Sequence, residues 1–353
     1  MISSVSTSIA TVILLIAVGG WILYAIFNAR ATRAEVGSEI ELAANRKEYY
    51  DDEILEGRKI ERTQLLGILF LAIVTVALPL YWVLEPSRQA GAIVGFDKRF
   101  VNWGAGLFAP TSEGGFNCAG CHGGMKATGG VAPFAITDPK TGEVKSVNWK
   151  APALNTVLYR FTEEEIRFVL NYGRPFSPMS AWGTIGGGPM NDQQITTLIS
   201  YMKSIQIPRD NCANLKDDPK TCAGGTLPTD KNAELQAEAE RLVAAGTYGS
   251  LGEAFFNLNL YGGGYSCARC HTKGYSYGDP QVTGGGAFGP NLTGGSAVRQ
   301  FPNQSDMLDF LKSGSELGKR YGEQGQGSGR MPAFGGVYTE TQLTSIIEYV
   351  RGL

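Results

Sequence analysis

Two five-residue stretches hold the most reactive side chains of this 353-residue sequence: Cys118-Ala119-Gly120-Cys121-His122 and Cys267-Ala268-Arg269-Cys270-His271. Two thiols separated by two residues lie one helical turn apart. From there they can add to the two vinyl groups on one edge of a porphyrin, with the adjoining histidine beneath the iron as its proximal ligand. A single stretch of this kind also suits a zinc site or a redox dithiol. Here it occurs twice, contains both histidines of the chain and uses four of the six cysteines. The reading is therefore two covalently attached haem c groups. Cys118, Cys121, Cys267 and Cys270 are the thioether positions, and His122 and His271 are iron ligands.

With two histidines in the chain, neither iron can draw a second imidazole from within it. Methionine, a soft thioether, is the next candidate for the opposite axial position. Of the seven methionines, Met1 lies beyond an apolar run, Met125 is too near His122 to reach the opposite face, and Met202 and Met307 fall at helical core positions. Met331 (in Gly-Arg-Met-Pro-Ala-Phe-Gly) and Met179 (in Pro-Met-Ser-Ala-Trp-Gly) occupy matching places, 331 − 271 = 60 and 179 − 122 = 57 residues after their histidines. Met190, in Gly-Gly-Gly-Pro-Met-Asn, is the alternative to Met179. The remaining cysteines, Cys212 and Cys222, close a short polar loop and read as a disulfide, worth on the order of 3 kcal/mol in the loop-entropy account.

The elements that must position these groups are duplicated. The cysteine motifs are offset by 267 − 118 = 149 residues, and Gln194-Ile-Thr-Thr-Leu-Ile-Ser-Tyr201 returns as Gln342-Leu-Thr-Ser-Ile-Ile-Glu-Tyr349 at 342 − 194 = 148. A helix precedes each motif, over roughly 96–108 and over 232–256 with a break near Gly246. An amphipathic helix ends each copy, the second opening on the capping pattern Thr339-Glu-Thr-Gln342. Glycine-rich stretches with little regular structure lie between. A copy of this size has a thin core, which a large cofactor would fill.

Upstream, residues 9–27 and 65–84 are apolar runs without a charge, each long enough as a helix to cross about 30 Å of hydrocarbon. Between them, residues 28–64 carry seven lysines and arginines. That bias places this loop in the cytoplasm, and the N-terminus and everything after the second run outside. The run 48–61 suits a short interfacial helix. The organisation expected is a two-helix anchor (1–86) with a cytoplasmic loop (28–64), a first haem domain (87–207), a linker with the disulfide (208–231) and a second haem domain (232–353). A net charge of −2 gives no general basis for binding nucleic acid, and no second catalytic constellation or small-molecule substrate site is legible.

In this order, first helix, Cys-x-x-Cys-His, proline-containing loop, distal methionine and terminal helix, each copy resembles a class I cytochrome c domain. The fold class implied is mainly α, with two N-terminal transmembrane helices followed by two tandem domains of this kind. The resemblance implies that a proline carbonyl holds each proximal imidazole, the matching positions being Pro152 and Pro290. Arg174 and Arg330 are candidates for the haem propionates. The whole chain resembles the dihaem subunit of cbb-type haem-copper oxidases or of bcc-type quinol-cytochrome c reductases. This implies an electron-transfer subunit without a catalytic site of its own, on the outer face of a bacterial cytoplasmic membrane. Its partners would be cytochrome b/Rieske-type quinol-oxidising subunits, haem-copper oxidase subunits, or both. A standalone anchored shuttle and a dihaem peroxidase are the other readings.

Overall fold

The computed structural model describes residues 11–12, 15–16, 18–27, 58–138, 141–174, 177–315 and 331–353. Met1, Arg330 and most of the expected 28–64 loop, including the bulk of the 48–61 run, lie outside the described residues. The chain divides into two compact units, Met1–Phe96 and Asp97–Leu353.

In the first unit, Val18–Phe27 is a short apolar helix. The helix Arg58–Phe108 starts within the region expected to be loop and takes in both the second apolar run and the helix expected at 96–108. It carries Pro79 and Pro86 in its interior. Beyond the prolines the local chemistry favours helix, because Arg88 and Gln89 both reach back to the Glu85 carboxylate, at 2.6 and 3.0 Å. Among the described residues this is the one helix long and apolar enough to cross a membrane. Its large apolar side chains, Leu65, Leu66, Phe70 and Trp82 among them, are exposed. A helix that is apolar and uncovered in this way suits a lipid surround rather than water.

The second unit contains both cysteine motifs. Its first part runs through the motif helix Cys118–His122, an antiparallel hairpin of β1 (Gly130–Thr137) and β2 (Val144–Ala151), a helix Glu163–Tyr172 and a terminal helix Asp192–Ser204. Its second part has helices Thr229–Ala244 and Leu251–Phe256, the motif helix Ala268–His271, helices Ser296–Gln300 and Gln304–Ser313, and the terminal helix Glu340–Arg351. Cys212 and Cys222 are joined as a disulfide in the segment between. The helix expected over 232–256 is two helices, and Gly246, at φ 68°, lies in the break. Three helices open on complete capping boxes, Thr162 with Glu165, Asn191 with Gln194 and Thr339 with Gln342. Each box satisfies two otherwise orphaned backbone donors.

The hairpin corrects the expectation of irregular structure after the first motif. Its sequence alternates, with Ala132, Phe134, Val147, Trp149 and Ala151 on the more buried face, and Ala132 pairs with Trp149. Period-two alternation on both sides of Asp138-Pro-Lys-Thr-Gly142 was the available signal.

Both parts use the same helix crossing. Gly104, near the end of the long helix, meets the terminal helix so closely that a Cβ there would lie 2.0 Å from the Thr197 carbonyl oxygen and 2.7 Å from Tyr201 Cβ. Gly252 meets its terminal helix in the same way, at 2.0 Å from the Ser345 oxygen and 2.9 Å from Tyr349 Cβ. Behind these crossings lie two apolar clusters. One is built on Phe108, Ile166, Met190, Ile195 and Leu198, the other on Phe255, Phe256, Leu258, Leu343, Ile346 and Ile347.

Candidate functional site

Each motif folds as a single helical turn that ends on its histidine. The His122 Nδ1 lies 2.8 Å from the Pro152 carbonyl oxygen, and the His271 Nδ1 lies 2.8 Å from that of Pro290. A carbonyl can only accept, so Nδ1 carries the proton and donates. The ring lone pair is thereby fixed on Nε2, the tautomer that a metal requires. Burial lowers the proton affinity of both rings, against the smaller opposing effect of the proline hydrogen bonds. A buried imidazole that stays neutral remains a ligand rather than a cation. Beside His271 the backbone is packed so tightly that a Cβ on Gly289 would lie 2.7 Å from the ring Cε1.

Cys118, Cys121, Cys267 and Cys270 are not joined in disulfides. Burial disfavours the thiolate at Cys118 and Cys267. Among the described residues no group of three or more His, Cys, Asp or Glu side chains is arranged to hold a metal ion, which leaves the zinc alternative without a ligand set.

One continuous cavity of about 690 Å³ joins the two motifs. It is lined by both cysteines and the histidine of each, by Pro152 and Pro290, and by Met179 and Met331. A smaller cavity of about 70 Å³ extends the second site and is also lined by His271, Pro290 and Met331. Met190 lines neither cavity; it is completely buried in the first apolar cluster. Met307 is buried in the second cluster, and Met202, though it touches the large cavity, belongs to the first. The walls are otherwise largely apolar, with Phe108, Leu154, Phe161, Leu170, Leu198 and Phe334 among them. A neutral imidazole, two adjacent thiols and a thioether within apolar walls are the donor set that a covalently held haem needs. The residues present therefore fit that group at both motifs.

The two parts of the unit meet along a seam beside this cavity. Ala153 N donates to the Tyr261 oxygen at 3.0 Å, and the Trp149 and Tyr277 rings lie 5.4 Å apart. Arg269, a residue of the second motif, reaches across to the Lys150 carbonyl of β2 at 2.9 Å while also bonding the carbonyls of Gly262 and Gly263. The Lys150 ammonium sits 4.1 Å from the Tyr275 ring centroid. Arg160 is only 6% exposed, and its Nε has no hydrogen-bond partner. Burial lowers its pKa to about 10, with nearby Arg269 and Arg174 adding to the effect. Arg174 also lines the cavity. Sequence reasoning singled out Arg174 but missed Arg160, Arg269 and Lys150. Arg269 was visible inside its motif, whereas nothing local marks Arg160 or Lys150, which the fold brings to the seam.

Residues 103–206 match the family model described as Cytochrome c. They form a cytochrome c domain, the kind of domain that holds covalently bound haem c and transfers electrons. The matched stretch contains the first motif, Pro152 and Met179, and ends before the linker. No curated protein and no solved structure matches the chain.

Proposed function

We propose that the chain is a membrane-anchored dihaem c-type cytochrome that passes single electrons from a quinol-oxidising cytochrome bc-type complex to a terminal haem-copper oxidase. The observation that carries this reading is the continuous cavity lined by both Cys-x-x-Cys-His motifs, with each histidine held by a proline carbonyl. Haem c bound there supplies a one-electron Fe(III)/Fe(II) couple. His122 with Met179, and His271 with Met331, would hold the iron of each haem and would leave it no coordination site for a substrate. The apolar walls keep water away from the couple, and the proline hydrogen bonds fix the imidazole planes. A cavity lined by both motifs suits transfer between the two groups. In this reading the long apolar helix, together with the first apolar run, holds both sites at the outer membrane face.

The axial assignment makes an immediate prediction. Met179→His replaces the near-infrared thioether band of one haem by a bis-histidine spectrum, while the volume-conserving Met190→Leu leaves every haem band in place. Loss of the band in Met190→Leu would transfer the ligand role to Met190.

The partner assignment is tested by purifying the tagged full-length chain in mild detergent and recording reduced-minus-oxidised and carbon monoxide difference spectra of whatever accompanies it. Haem b together with a carbon monoxide-reactive haem and copper is the expected result. Haem b without a carbon monoxide-reactive centre would limit the role to the electron exit of a quinol-oxidising complex. A chain that arrives alone from a gently solubilised membrane would make it a free-standing anchored shuttle.

A further inference from the structure

The seam between the two motifs carries an excess of positive charge. Arg160, Arg174, Arg269 and Lys150 all line the common cavity, and no aspartate or glutamate lines it among the described residues. None of the four forms an ion pair with a carboxylate among the described residues. Arg160 is the extreme case: it is buried, its Nε is unpartnered, and its guanidinium lies 5.5 Å from the ring centroids of Phe161 and Tyr265, which come from opposite sides of the seam. Three of the Arg269 donors are spent on neutral carbonyls, one of them across the seam on Lys150, so its charge stays uncompensated. Of the four, Arg160 is buried, Arg269 and Lys150 are half-buried and Arg174 is exposed; an uncompensated buried cation is costly, by several kcal/mol in real proteins, and persists where an anion meets it. The anions that suit this cavity belong to its occupants. Every haem carries two propionate carboxylates, so two haems bring four carboxylates to four cations.

We propose that Arg160, Arg269, Lys150 and Arg174 form one cationic seam that takes the carboxylates of both haems, so that a cation from either half of the unit raises the reduction potential of both. This rests on the dihaem reading. The crossing is already built into the chain: Arg269 belongs to the second motif yet is anchored on β2 of the first part. Arg160 belongs to the first part and lies over Tyr265 of the second. A fixed positive charge near an iron disfavours the oxidised, more positive form and raises the potential. These are positioning residues, since they touch the carboxylates and not the iron.

The test is an equilibrium redox titration of the full-length chain in detergent, followed at the haem absorption bands and resolved into two one-electron components. Haem per chain is measured first by pyridine haemochrome and intact mass. One haem in the wild-type chain would overturn the dihaem reading, and the shared seam with it, and is recognised before any potential is read. With two haems present, Arg160→Gln is expected to lower both midpoints. The shift corresponds to a roughly threefold to tenfold change in the oxidised-to-reduced ratio at fixed potential, the upper value being about 59 mV for one electron. Arg160→Lys, which keeps the charge, is expected to restore most of the shift, which a purely structural role would not. Movement of one component alone, of neither, or equally in the Gln and Lys variants would overturn the shared seam. If Arg160→Gln does not accumulate with both haems, Lys150→Gln, at a half-buried position, is titrated in its place and judged by movement of both midpoints.

Discussion

Changing Cys267 and Cys270 to serine is expected to leave one covalent haem per chain in place of two, measured by pyridine haemochrome and by intact mass. It removes the thiols that tether the second porphyrin while His271 and its bond to Pro290 stay in place. The matching change at Cys118 and Cys121 should have the same effect on the first site. The two variants together should leave an apoprotein without the Soret band. The loss should also be structural. The second apolar cluster packs directly around Cys267, Tyr265 and Phe334, and residues of that cluster line the cavity a haem would fill. With no porphyrin there, those walls lose their packing partner, and the serine variant should unfold at lower denaturant concentration. An unchanged haem count after removal of the second pair of thiols would show that the second motif does not attach haem and would reduce the chain to a single-haem carrier.

The second large effect concerns the helix crossings. Gly104→Ala places a methyl group 2.0 Å from the Thr197 carbonyl oxygen, and Gly252→Ala does so against Ser345. The obstacle is backbone on a neighbouring helix, which cannot swing aside as a flexible side chain would. Each substitution should destabilise the second unit by about 1–3 kcal/mol or more, the usual range for overpacking. Gly106→Ala, two residues along the same helix and with nothing within 4 Å of its Cβ, is the control. It should be neutral or slightly stabilising, by up to about 1 kcal/mol, because alanine is the better helix former. Denaturation curves followed at the haem band compare the three. Equal behaviour of Gly104→Ala and Gly106→Ala would mean that the crossing is not close in solution.

The repeated pattern that these glycines share was only half legible. The motif offset of 149 and the terminal-helix offset of 148 stand out because they involve rare residue types and a strong apolar period. Gly104 and Gly252 repeat at the same spacing, 252 − 104 = 148, but one glycine among 47 in the chain carries no mark of its own. The helices Glu163–Tyr172 and Gln304–Ser313 were no part of the organisation expected, although Met307 was placed at a helical core position. They are short, and only Ile166 and Leu170, or Met307 and Leu311, are buried on each. Two apolar positions make a weak period beside abundant glycine. The two-span expectation fared differently by segment. The second run lies in a helix long and apolar enough to cross a membrane, whereas the described helix of the first is the shorter Val18–Phe27.

By itself the sequence carried the pattern that covalent haem attachment would need, because that chemistry depends on residue types at fixed local spacing: two thiols one turn apart and a histidine beside the second. By leaving no third histidine it also makes methionine the candidate for the distal ligand in the proposed reading. Tertiary structure decided what depends on distance through space. It put the Pro152 and Pro290 carbonyls on Nδ1 of histidines 30 and 19 residues earlier in the chain. It sent Met179 to the cavity wall and Met190 into the core. It joined the two sites in one cavity and gathered Arg160, Lys150 and Arg269 at its seam. Contacts of this kind come from packing between segments far apart in sequence, and a local pattern of residue types carries no record of them.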